Sequence, residues 1–367
     1  MNNKLEGKNY KWVLIGAGNG GQSMAGHLGV MGFSVKIFDV FKPVIDAIKE
    51  QGGIHVDGVV NGFGKVELAT TDIKEALEDV DVIVVTLPSL YHASIAKACA
   101  PYLKDGQIVL LHPTATFGSL EFRKVLIDEK CKANIILADT QTLLYTCRSP
   151  KFGYANIFGI KNVVLTAALP SKYNEKVLSI INTAFPQFIA AENVLRTGLE
   201  NLNAMMHPAP TILNTGRIDS QEDFLYYLDG ITPAVGHYVE EMDKERIEIG
   251  KAVGLKLTPM TEWYRKMYDA KGDTLSELAK STECYKGVKG QKSLKTRYLL
   301  EDVPNSLEPI VSLGHMLGVN VSKMETIVNL VRDMLGDEVV PGRTMARLGL
   351  EGMNVEQLNK LVNEVVA

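Results

Sequence analysis

Short, mostly apolar runs alternate with segments of helical periodicity through the first half of the chain. The runs lie at residues 12–15, 33–38, 80–87, 107–111 and 134–138. Continuous apolar runs of this length are typical of strands buried on both faces, as in a parallel sheet covered by helices. The pattern therefore predicts an α/β fold with a Rossmann-type, doubly wound parallel sheet.

Two further features complete this half. Glycines and short β-branched runs at residues 52–64 predict a hairpin-like excursion, and closing strands are predicted at 155–158 and 162–168. We place the domain boundary at residue 190, which gives an N-terminal domain 1–190 and a C-terminal domain 191–367.

Strand signals nearly vanish in the second half, which predicts an all-α domain. Thr232 and Pro233 suit the N-cap and the first position of a long helix that runs to about Ala252. Asn354 fits the N-cap of the last helix.

The first predicted strand runs into the glycine-rich turn Gly16-Ala17-Gly18-Asn19-Gly20-Gly21, and a helical segment follows. A G-x-G-x-x-G motif between a strand and a helix is typical of dinucleotide binding. Gly16 permits the tight turn, Gly18 lets the backbone approach a pyrophosphate, and Gly21 allows close helix packing. Backbone amides at the helix N-terminus, which includes Asn19 and Gly20, face the anion. The whole turn is therefore a predicted cofactor site.

A carboxylate ends the second predicted strand. Asp39 lies 18 residues after Gly21, near the spacing of about 20 at which an acid binds the adenosine ribose. It would repel a 2′-phosphate, so NAD is the favoured cofactor. Lys42 could reach a phosphate, which keeps NADP as an alternative. An unrelated surface acid is the other interpretation of Asp39.

Loops after the later strands carry further candidates. Ligands of open α/β sheets collect beyond the carboxyl ends of strands, so Leu87, Pro88 and Thr140 are expected to line the cofactor and substrate cleft. The Thr140 hydroxyl belongs either to a pocket rim or to a simple turn. His92 and His112 either bond to loop backbone or take part in the chemistry.

Bulk composition excludes several classes of protein. The chain has 367 residues, 46% of them hydrophobic and 22% charged, as in soluble proteins with two cores. A net charge of −4 without a basic block argues against nucleic acid or an anionic membrane as partner. The four cysteines are scattered, with no metal-binding cluster, and no apolar run is long enough to span a membrane. We expect a cytoplasmic protein without a metal, and we consider a homodimer as its assembly.

A histidine within an apolar stretch is the most informative feature of the second half. Pro208 disfavours helical geometry at His207, so His207 is expected to separate two helical pieces and to turn toward a cleft. Asn203 and Asn214 fall on the same helical face if the helical turn continues through Pro208. On local pattern alone, a hydrogen-bonded core histidine is the alternative to a catalytic one.

A second short stretch joins an arginine to two acids and a proline: Arg297, Glu301, Asp302 and Pro304. Alone, this stretch is more typical of an ordinary helix end, in which Arg297 and Glu301 form a surface pair four residues apart that is worth only tenths of a kcal/mol.

Together these features resemble the octopine/nopaline (opine) dehydrogenase family over nearly the whole chain. The stretches that carry the resemblance are residues 16–21, 139–148, 193–203, 206–214, 229–233 and 297–304. The family implies a Rossmann domain joined to a helical domain, with the active site between them. Its members reductively condense the amino group of an amino acid with a 2-oxo acid, often pyruvate, using NADH or NADPH.

By the same resemblance, His207 matches the catalytic histidine, Asp302 its acidic partner and Arg297 a substrate-binding arginine. We add Asn203 and Thr140 as candidate substrate-binding residues. Histidine exchanges protons near neutral pH, a carboxylate can fix its tautomer, and an arginine fork suits a substrate carboxylate. The chain departs from the family pattern at Asp139 and Leu144, where glutamate and proline are common. The amino donor therefore does not follow from the resemblance.

Two other functions stay open. A 2-oxo-acid reductase that makes a hydroxy acid would use the same arginine, histidine and aspartate equally well. A non-catalytic NAD-binding sensor is the third alternative, although a sensor has no need of a proton-transfer pair.

Overall fold

The computed structural model describes residues 10–364. Contacts within the chain divide it into two compact units. Of the described residues, the first unit contains 10–114, 118–197 and 360–364, and the second contains 115–117 and 198–359.

All the strands lie in the first unit, where they form two sheets. In chain order the strands are β1 (Lys11–Ile15), β2 (Ser34–Phe38), β3 (Gly53–Gly58), β4 (Gly62–Lys65), β5 (Leu68–Thr70), β6 (Val82–Val85), β7 (Ile108–Leu111), β8 (Ile136–Thr140), β9 (Tyr145–Arg148), β10 (Tyr154–Ile160), β11 (Val164–Leu169) and β12 (Phe188–Ala190).

The main sheet has the order β12-β11-β8-β7-β6-β1-β2-β5. From β5 to β8 every neighbouring pair is parallel, and β1 lies where the order of the strands reverses direction. This is the strand order of dinucleotide-binding sheets, in which ligands bind beyond the carboxyl ends at the reversal. The predicted parallel sheet is confirmed, while β11 pairs antiparallel with β8.

The second sheet has the order β4-β3-β10-β9. Strands β3 and β4 are antiparallel, so the hairpin predicted at residues 52–64 is confirmed. The predicted closing strand at 155–158 belongs to β10, which pairs with β3 and not with the main sheet.

Among residues 10–364, six helices belong wholly to the first unit: α1 (Asn19–Val30), α2 (Lys42–Gln51), α3 (Ile73–Leu77), α4 (His92–Cys99), α5 (Gly118–Asp128) and α6 (Asn174–Ile181). Helix α1 packs against the second sheet and β2, whereas α4 packs against α3 and α5. Helix α7 (Val194–Leu199) ends this part of the chain.

The second unit is helical, as predicted. Its helices are α8 (Asn203–Met206), α9 (Pro208–Leu213), α10 (Thr215–Asp219), α11 (Pro233–Ala252), α12 (Met260–Tyr268), α13 (Leu275–Ser281), α14 (Arg297–Leu300), a π-helix (Val303–Leu307), α15 (Glu308–Leu317), α16 (Ser322–Leu335) and α17 (Val355–Asn363). Short 3₁₀ turns occur at Ser89–Tyr91, Ser171–Tyr173, Glu283–Tyr285 and Gly336–Glu338.

Helix α11 is the central element of the second unit, because it contacts α8, α9, α12, α13, α15 and α16. The Thr232 hydroxyl accepts the Val235 N–H at 3.3 Å and Pro233 is the first helical residue, so the predicted start of α11 is confirmed. Asn354 Oδ1 likewise accepts the Gln357 N–H at 2.9 Å at the start of α17.

A buried arginine ties α11 to other segments of its unit. Arg246 is fully buried, and its guanidinium donates to Asp243 Oδ1 (2.8 Å), the Leu199 carbonyl (2.9 Å) and the Thr258 carbonyl (2.6 Å). The second Asp243 oxygen accepts the Met260 N–H at 2.8 Å. A buried charge is tolerated only when its donors are satisfied in this way.

The first unit continues past residue 190, where the sequence places the boundary. After β12, Asn193 Nδ2 donates to Asn363 Oδ1 (3.2 Å) and the Thr197 hydroxyl donates to Asp139 (2.5 Å). These bonds keep the segment in the first unit, so the division falls after Thr197, and the end of α17 returns to the first unit.

Within residues 10–364, no helix combines the length and the apolar character that crossing a membrane requires. The same residues contain no group of three histidine, cysteine or acidic side chains arranged to hold a metal. The four cysteines are free thiols.

His112 fastens β7 to the loop after β8. Its Nε2 accepts the Leu144 N–H at 3.0 Å, so the proton lies on Nδ1, which donates to the Thr140 hydroxyl at 2.7 Å. That hydroxyl can in turn donate to the Thr142 carbonyl at 3.2 Å. Burial, with the nearby charge of Lys161, lowers the pKa of His112 to about 3. His112 is therefore a neutral structural residue and not a participant in chemistry.

We predict that His112 makes the first unit less stable at mildly acidic pH. The ordinary pKa of histidine is about 6.5, and the folded-state pKa is about 3. Below pH 6.5 the unfolded chain therefore binds a proton that the folded chain does not, and the free energy of unfolding falls by up to about 1.4 kcal/mol per pH unit. His112→Gln should flatten this dependence between pH 7 and 5. Burial also lowers the pKa of His27, which leaves a residual slope in the variant.

Urea unfolding in a Trp263→Phe background, where Trp12 of β1 is the remaining tryptophan, measures the first unit alone. His237→Gln, an exposed change on α11, is the control. If the free energy of unfolding of His112→Gln had the wild-type dependence on pH, His112 would not be the residue that causes this dependence.

Candidate active site

Each glycine of the G-x-G-x-x-G turn is suited to its position for a different steric reason. Gly16 adopts φ +109°, a backbone conformation that side chains disfavour. A Cβ built at Gly21 would lie 1.7 Å from the Gly16 carbonyl oxygen, so α1 can approach β1 only with glycine there. A Cβ at Gly18 would meet no atom within 4 Å. The space over Gly18 is therefore open to a ligand, as the motif predicts.

The first turn of α1 faces this opening with free backbone amides, because Gly18 at the N-cap provides no side-chain cap. Asn19 uses its side-chain oxygen to accept the Ser149 N–H at 2.8 Å, and Gly20 lies against Leu143. Helix α1 has 12 residues, so its N-terminus is a favourable place for a phosphate.

Asp39 follows β2 beside the same turn. Its two oxygens accept the Ala17 N–H at 2.6 Å and the Phe41 N–H at 2.8 Å. A carboxylate fixed at this position can also accept a ribose hydroxyl. The alternative of an unrelated surface acid does not fit these bonds to the glycine-rich turn.

A cavity of about 330 Å³ opens between the glycine turn, Asp39 and the segment 149–152. Phe41 and Phe152 border it, with ring centroids 5.7 Å apart, and about half of each side chain is exposed. Lys42 is held by Asp46 at 2.6 Å, whereas Lys151 lines the cavity. The cavity thus combines apolar surface, a carboxylate and a lysine, a set that fits an adenosine with either cofactor.

Leu87 and Pro88 follow β6, next to the glycine turn. The Thr86 hydroxyl donates to the Gly16 carbonyl at 3.1 Å, and the Leu87 side chain packs over Gly16. Leu87 is half-buried and Pro88 is exposed. Both residues therefore lie on the ligand side of the main sheet, as expected from their position after a parallel strand.

Thr140, by contrast, is fully buried, and its hydroxyl is occupied by His112 and backbone carbonyls. The simple-turn interpretation therefore accounts for Thr140 better than a substrate contact does. His92 is also fully buried.

In the second unit, His207 and Asp302 meet. His207 Nδ1 lies 2.7 Å from Asp302 Oδ2, and the two side chains are 12% and 7% exposed. His207 separates α8 from α9, so the predicted division into two helical pieces is confirmed. Its backbone, with φ −102° and ψ −57°, nevertheless stays in the right-handed helical region that a following proline disfavours. A partly buried imidazole held by a carboxylate is a recurring device for proton transfer.

Two tyrosines hold this histidine, and the sequence interpretation did not identify them. The Tyr298 ring stacks on the imidazole, with centroids 3.8 Å apart and planes 5° apart. The Tyr226 hydroxyl lies 2.9 Å from the His207 carbonyl and 3.1 Å from the Met206 carbonyl. Pro210 has no N–H to give the Met206 carbonyl, so the tyrosine replaces that bond. The one available signal was the spacing of Tyr298, one helical turn before Asp302.

A π-helix begins directly after Asp302. It spans Val303–Leu307, and the Glu308 N–H closes its wide turn on the Val303 carbonyl. Pro304 lacks an N–H, and the wider turn accommodates it. Single π-turns of this kind are frequent at functional sites, and this one sets the position of Asp302.

Arg297 and the two asparagines occupy distinct environments. Arg297 Nε lies 3.1 Å from Glu301 Oε2, and its side chain is 66% exposed, so the predicted surface pair is present. Asn203 is exposed at the start of α8, and its carbonyl accepts the His207 N–H at 3.1 Å. Asn214 is buried and donates to the carbonyls of Pro210 and Gly230, which gives it a structural role.

Comparisons with known proteins point to one family. Residues 190–335 match the model of the NAD/NADP octopine/nopaline dehydrogenase α-helical domain, and residues 11–115 match the N-terminus of NAD-dependent glycerol-3-phosphate dehydrogenase. The chain is 38% identical over 360 residues to an opine dehydrogenase of Arthrobacter sp. (strain 1C), with 98% of this chain and 99% of that protein covered.

Solved structures share the fold. Octopine dehydrogenase with NADH and L-arginine is similar, with a TM-score of 0.81, 21% identity and coverage of 97% of this chain and 98% of that chain. Yersinopine dehydrogenase with NADP+ has a TM-score of 0.69 at 12% identity, with 97% and 98% covered.

The glycines give a paired prediction. Gly18→Ala should leave the free energy of unfolding nearly unchanged, because its Cβ meets open space, yet weaken NADH binding at least tenfold. Gly21→Ala should lower both the free energy of unfolding and the affinity for NADH, since overpacking against the backbone costs about 1–3 kcal/mol or more. Fluorescence titration with NADH and urea unfolding measure the two effects. If Gly18→Ala bound NADH with wild-type affinity, the open space over Gly18 would not be part of the cofactor site.

Asp39 is predicted to set the cofactor preference. Asp39→Ala should weaken NADH binding about tenfold or more, the value of a charge-assisted hydrogen bond. It should weaken NADPH binding less, because the same change removes a repulsive charge from the 2′-phosphate. Asp46→Ala, which removes the partner of Lys42, is the control and should leave NADH binding unchanged. An equal loss for both cofactors would contradict the ribose role.

Proposed function

We propose that this chain, which belongs to the opine dehydrogenase family, condenses the amino group of an amino acid with pyruvate and uses His207 as proton donor and acceptor. It is an NAD(P)-dependent oxidoreductase that acts on CH–NH bonds. NAD is the cofactor, and NADP is the alternative. The histidine, the oxo acid and the substrate contacts are the proposed parts.

The observation that carries the proposal is the 2.7 Å bond between His207 Nδ1 and Asp302 Oδ2. An ionised carboxylate accepts hydrogen bonds only, so it holds the Nδ1 proton in place. The other ring nitrogen, Nε2, is then the atom that can give up and take back a proton. A histidine with a merely structural role would have no reason to keep this nitrogen available.

The proton steps follow from this assignment. Attack of the amine on the carbonyl carbon gives a carbinolamine, and protonated His207 donates a proton to its hydroxyl, which leaves as water. The nitrogen lone pair forms the C=N bond as the C–O bond breaks. The reduced nicotinamide supplies a hydride to that carbon, which yields the secondary amine. His207 regains a proton before the next turnover, so one proton is consumed overall.

Arg297 is proposed to bind a substrate carboxylate. Its guanidinium is largely exposed, and a planar fork suits the carboxylate that both substrates carry. Asn203, exposed one helical turn before His207, is a second candidate contact. Octopine dehydrogenase has been solved with L-arginine and with pyruvate, which supports pyruvate as the oxo acid here.

A substrate screen tests the reaction. NADH oxidation is followed with pyruvate, glyoxylate or 2-oxoglutarate, alone and with each of a panel of amino acids. Oxidation that requires both substrates, with a secondary amine detected by mass spectrometry, is the expected result. Oxidation with the oxo acid alone would identify a hydroxy-acid reductase. Cofactor binding without turnover across the panel would identify a sensor.

His207→Ala should lower kcat by about 10²–10⁴-fold, the usual contribution of a general acid–base. NADH affinity should not change, because the predicted cofactor residues lie in the other unit. Asp302→Asn should also lower kcat, since an amide can present the wrong hydrogen-bonding group to Nδ1. His237→Ala, on the exposed face of α11, is the matched control. Turnover near the wild-type rate in His207→Ala would exclude His207 from the mechanism.

A further inference from the structure

The first unit contains a second cavity, which shares no lining residue with the cavity beside the glycine turn and Asp39. Its volume is about 330 Å³, within the range of small-molecule sites. Leu137 of β8 and Leu169 of β11, which are direct cross-strand partners, line it. Leu137 lies near the amino end of β8, whereas the glycine turn lies at the carboxyl ends of the parallel strands. The two cavities are therefore on opposite edges of the main sheet.

Its walls are apolar on several sides. Helix α5 contributes Leu126 and Ile127, and Tyr173 faces the cavity from the 3₁₀ turn. Ile127 is 48% exposed. An apolar body bound here would cover apolar surface that is otherwise in water, which favours binding.

The charged groups among the described residues that line this cavity are both positive. They are Arg123 of α5 and Lys132, and none of the described lining residues is acidic. The acids nearby are already paired: Asp128 binds Lys124 at 2.6 Å, and Glu129 binds Lys97 at 3.3 Å. Among residues 10–364 neither Arg123 nor Lys132 has an ion pair or a side-chain hydrogen bond. Partial burial lowers the pKa of Arg123, which reflects the cost of an uncompensated guanidinium.

We propose that this cavity, called here the Arg123 cavity, is a second ligand site, for an organic carboxylate with an apolar body. A carboxylate accepts two parallel hydrogen bonds from a guanidinium and supplies the missing negative charge. The leucines and Tyr173 select an apolar body over a bare anion. The inference does not depend on the proposed function, because it uses no residue of the predicted active site.

The probe for the test is 4-phenylbutyrate, which has an apolar body and a carboxylate but no 2-oxo group. The amide 4-phenylbutanamide keeps the body without the charge, and inorganic phosphate keeps a charge without the body. Cys131 lines the Arg123 cavity and Cys284 is exposed in the second unit. Alkylation of each thiol by iodoacetamide, followed by mass spectrometry on the whole protein, therefore gives the signal and its internal control.

The carboxylate should slow alkylation of Cys131 saturably and leave Cys284 unchanged. Arg123→Gln should weaken this protection at least tenfold, because a charge-assisted hydrogen bond is lost. Lys124→Gln, a charge change on the same helix at a residue already paired, should not. Arg297→Gln should not either, which separates this cavity from the proposed substrate site. If Arg123→Gln does not fold, Arg123→Lys provides the comparison, since it keeps the charge without the fork and should weaken protection less.

Three results would overturn the inference. They are no protection of Cys131 by the carboxylate, equal protection by the amide or by phosphate, and loss of protection in Arg297→Gln with retention in Arg123→Gln. The third would assign the bound carboxylate to the proposed active site.

Discussion

The bond between His207 and Asp302 is the constraint on which the chemistry of the second unit depends. It joins side chains 95 positions apart in the sequence. Neither element would present its residue without a local irregularity: Pro208 breaks the helix at His207, and a π-helix begins directly after Asp302. Each irregularity removes regular backbone hydrogen bonds, which is costly in a buried place. The Tyr226 hydroxyl supplies one of the bonds that are lost.

A different constraint governs the first unit, namely the distance between backbones. The contact of α1 with the end of β1 is so close that the Gly21 position has no room for a Cβ. That closeness brings the first amides of α1 near Asp39, whose Oδ2 accepts the Ala17 N–H of the turn and whose Oδ1 accepts the Phe41 N–H after β2. The glycines and Asp39 therefore act together, because the carboxylate fixes the loop whose amides would face a pyrophosphate.

Local chemistry made much of this predictable. The strands, the hairpin, the glycine turn, the Thr232 cap and the break at His207 each follow from neighbouring residues, and the structure has all of them. Pairing across long distances was not predictable. The antiparallel β11, the union of β3 with β10 and the return of α17 to the first unit are set by contacts that no local pattern encodes. The roles of Tyr226 and of the Thr140 hydroxyl were not predictable for the same reason, since their bonding partners are remote in the sequence or depend on loop geometry.

The imidazole of His207 is held by two different contacts. Tyr298 lies flat on the imidazole, and Asp302 bonds to its edge. The face of a tyrosine ring is electron-rich and attracts a cation, and a carboxylate does so more strongly. Both contacts persist when the proton leaves, because ring stacking and the Nδ1 bond exist in either state of the ring. The same two partners can therefore hold the ring in place while its charge changes. A residue that must both donate a proton and accept one requires such support.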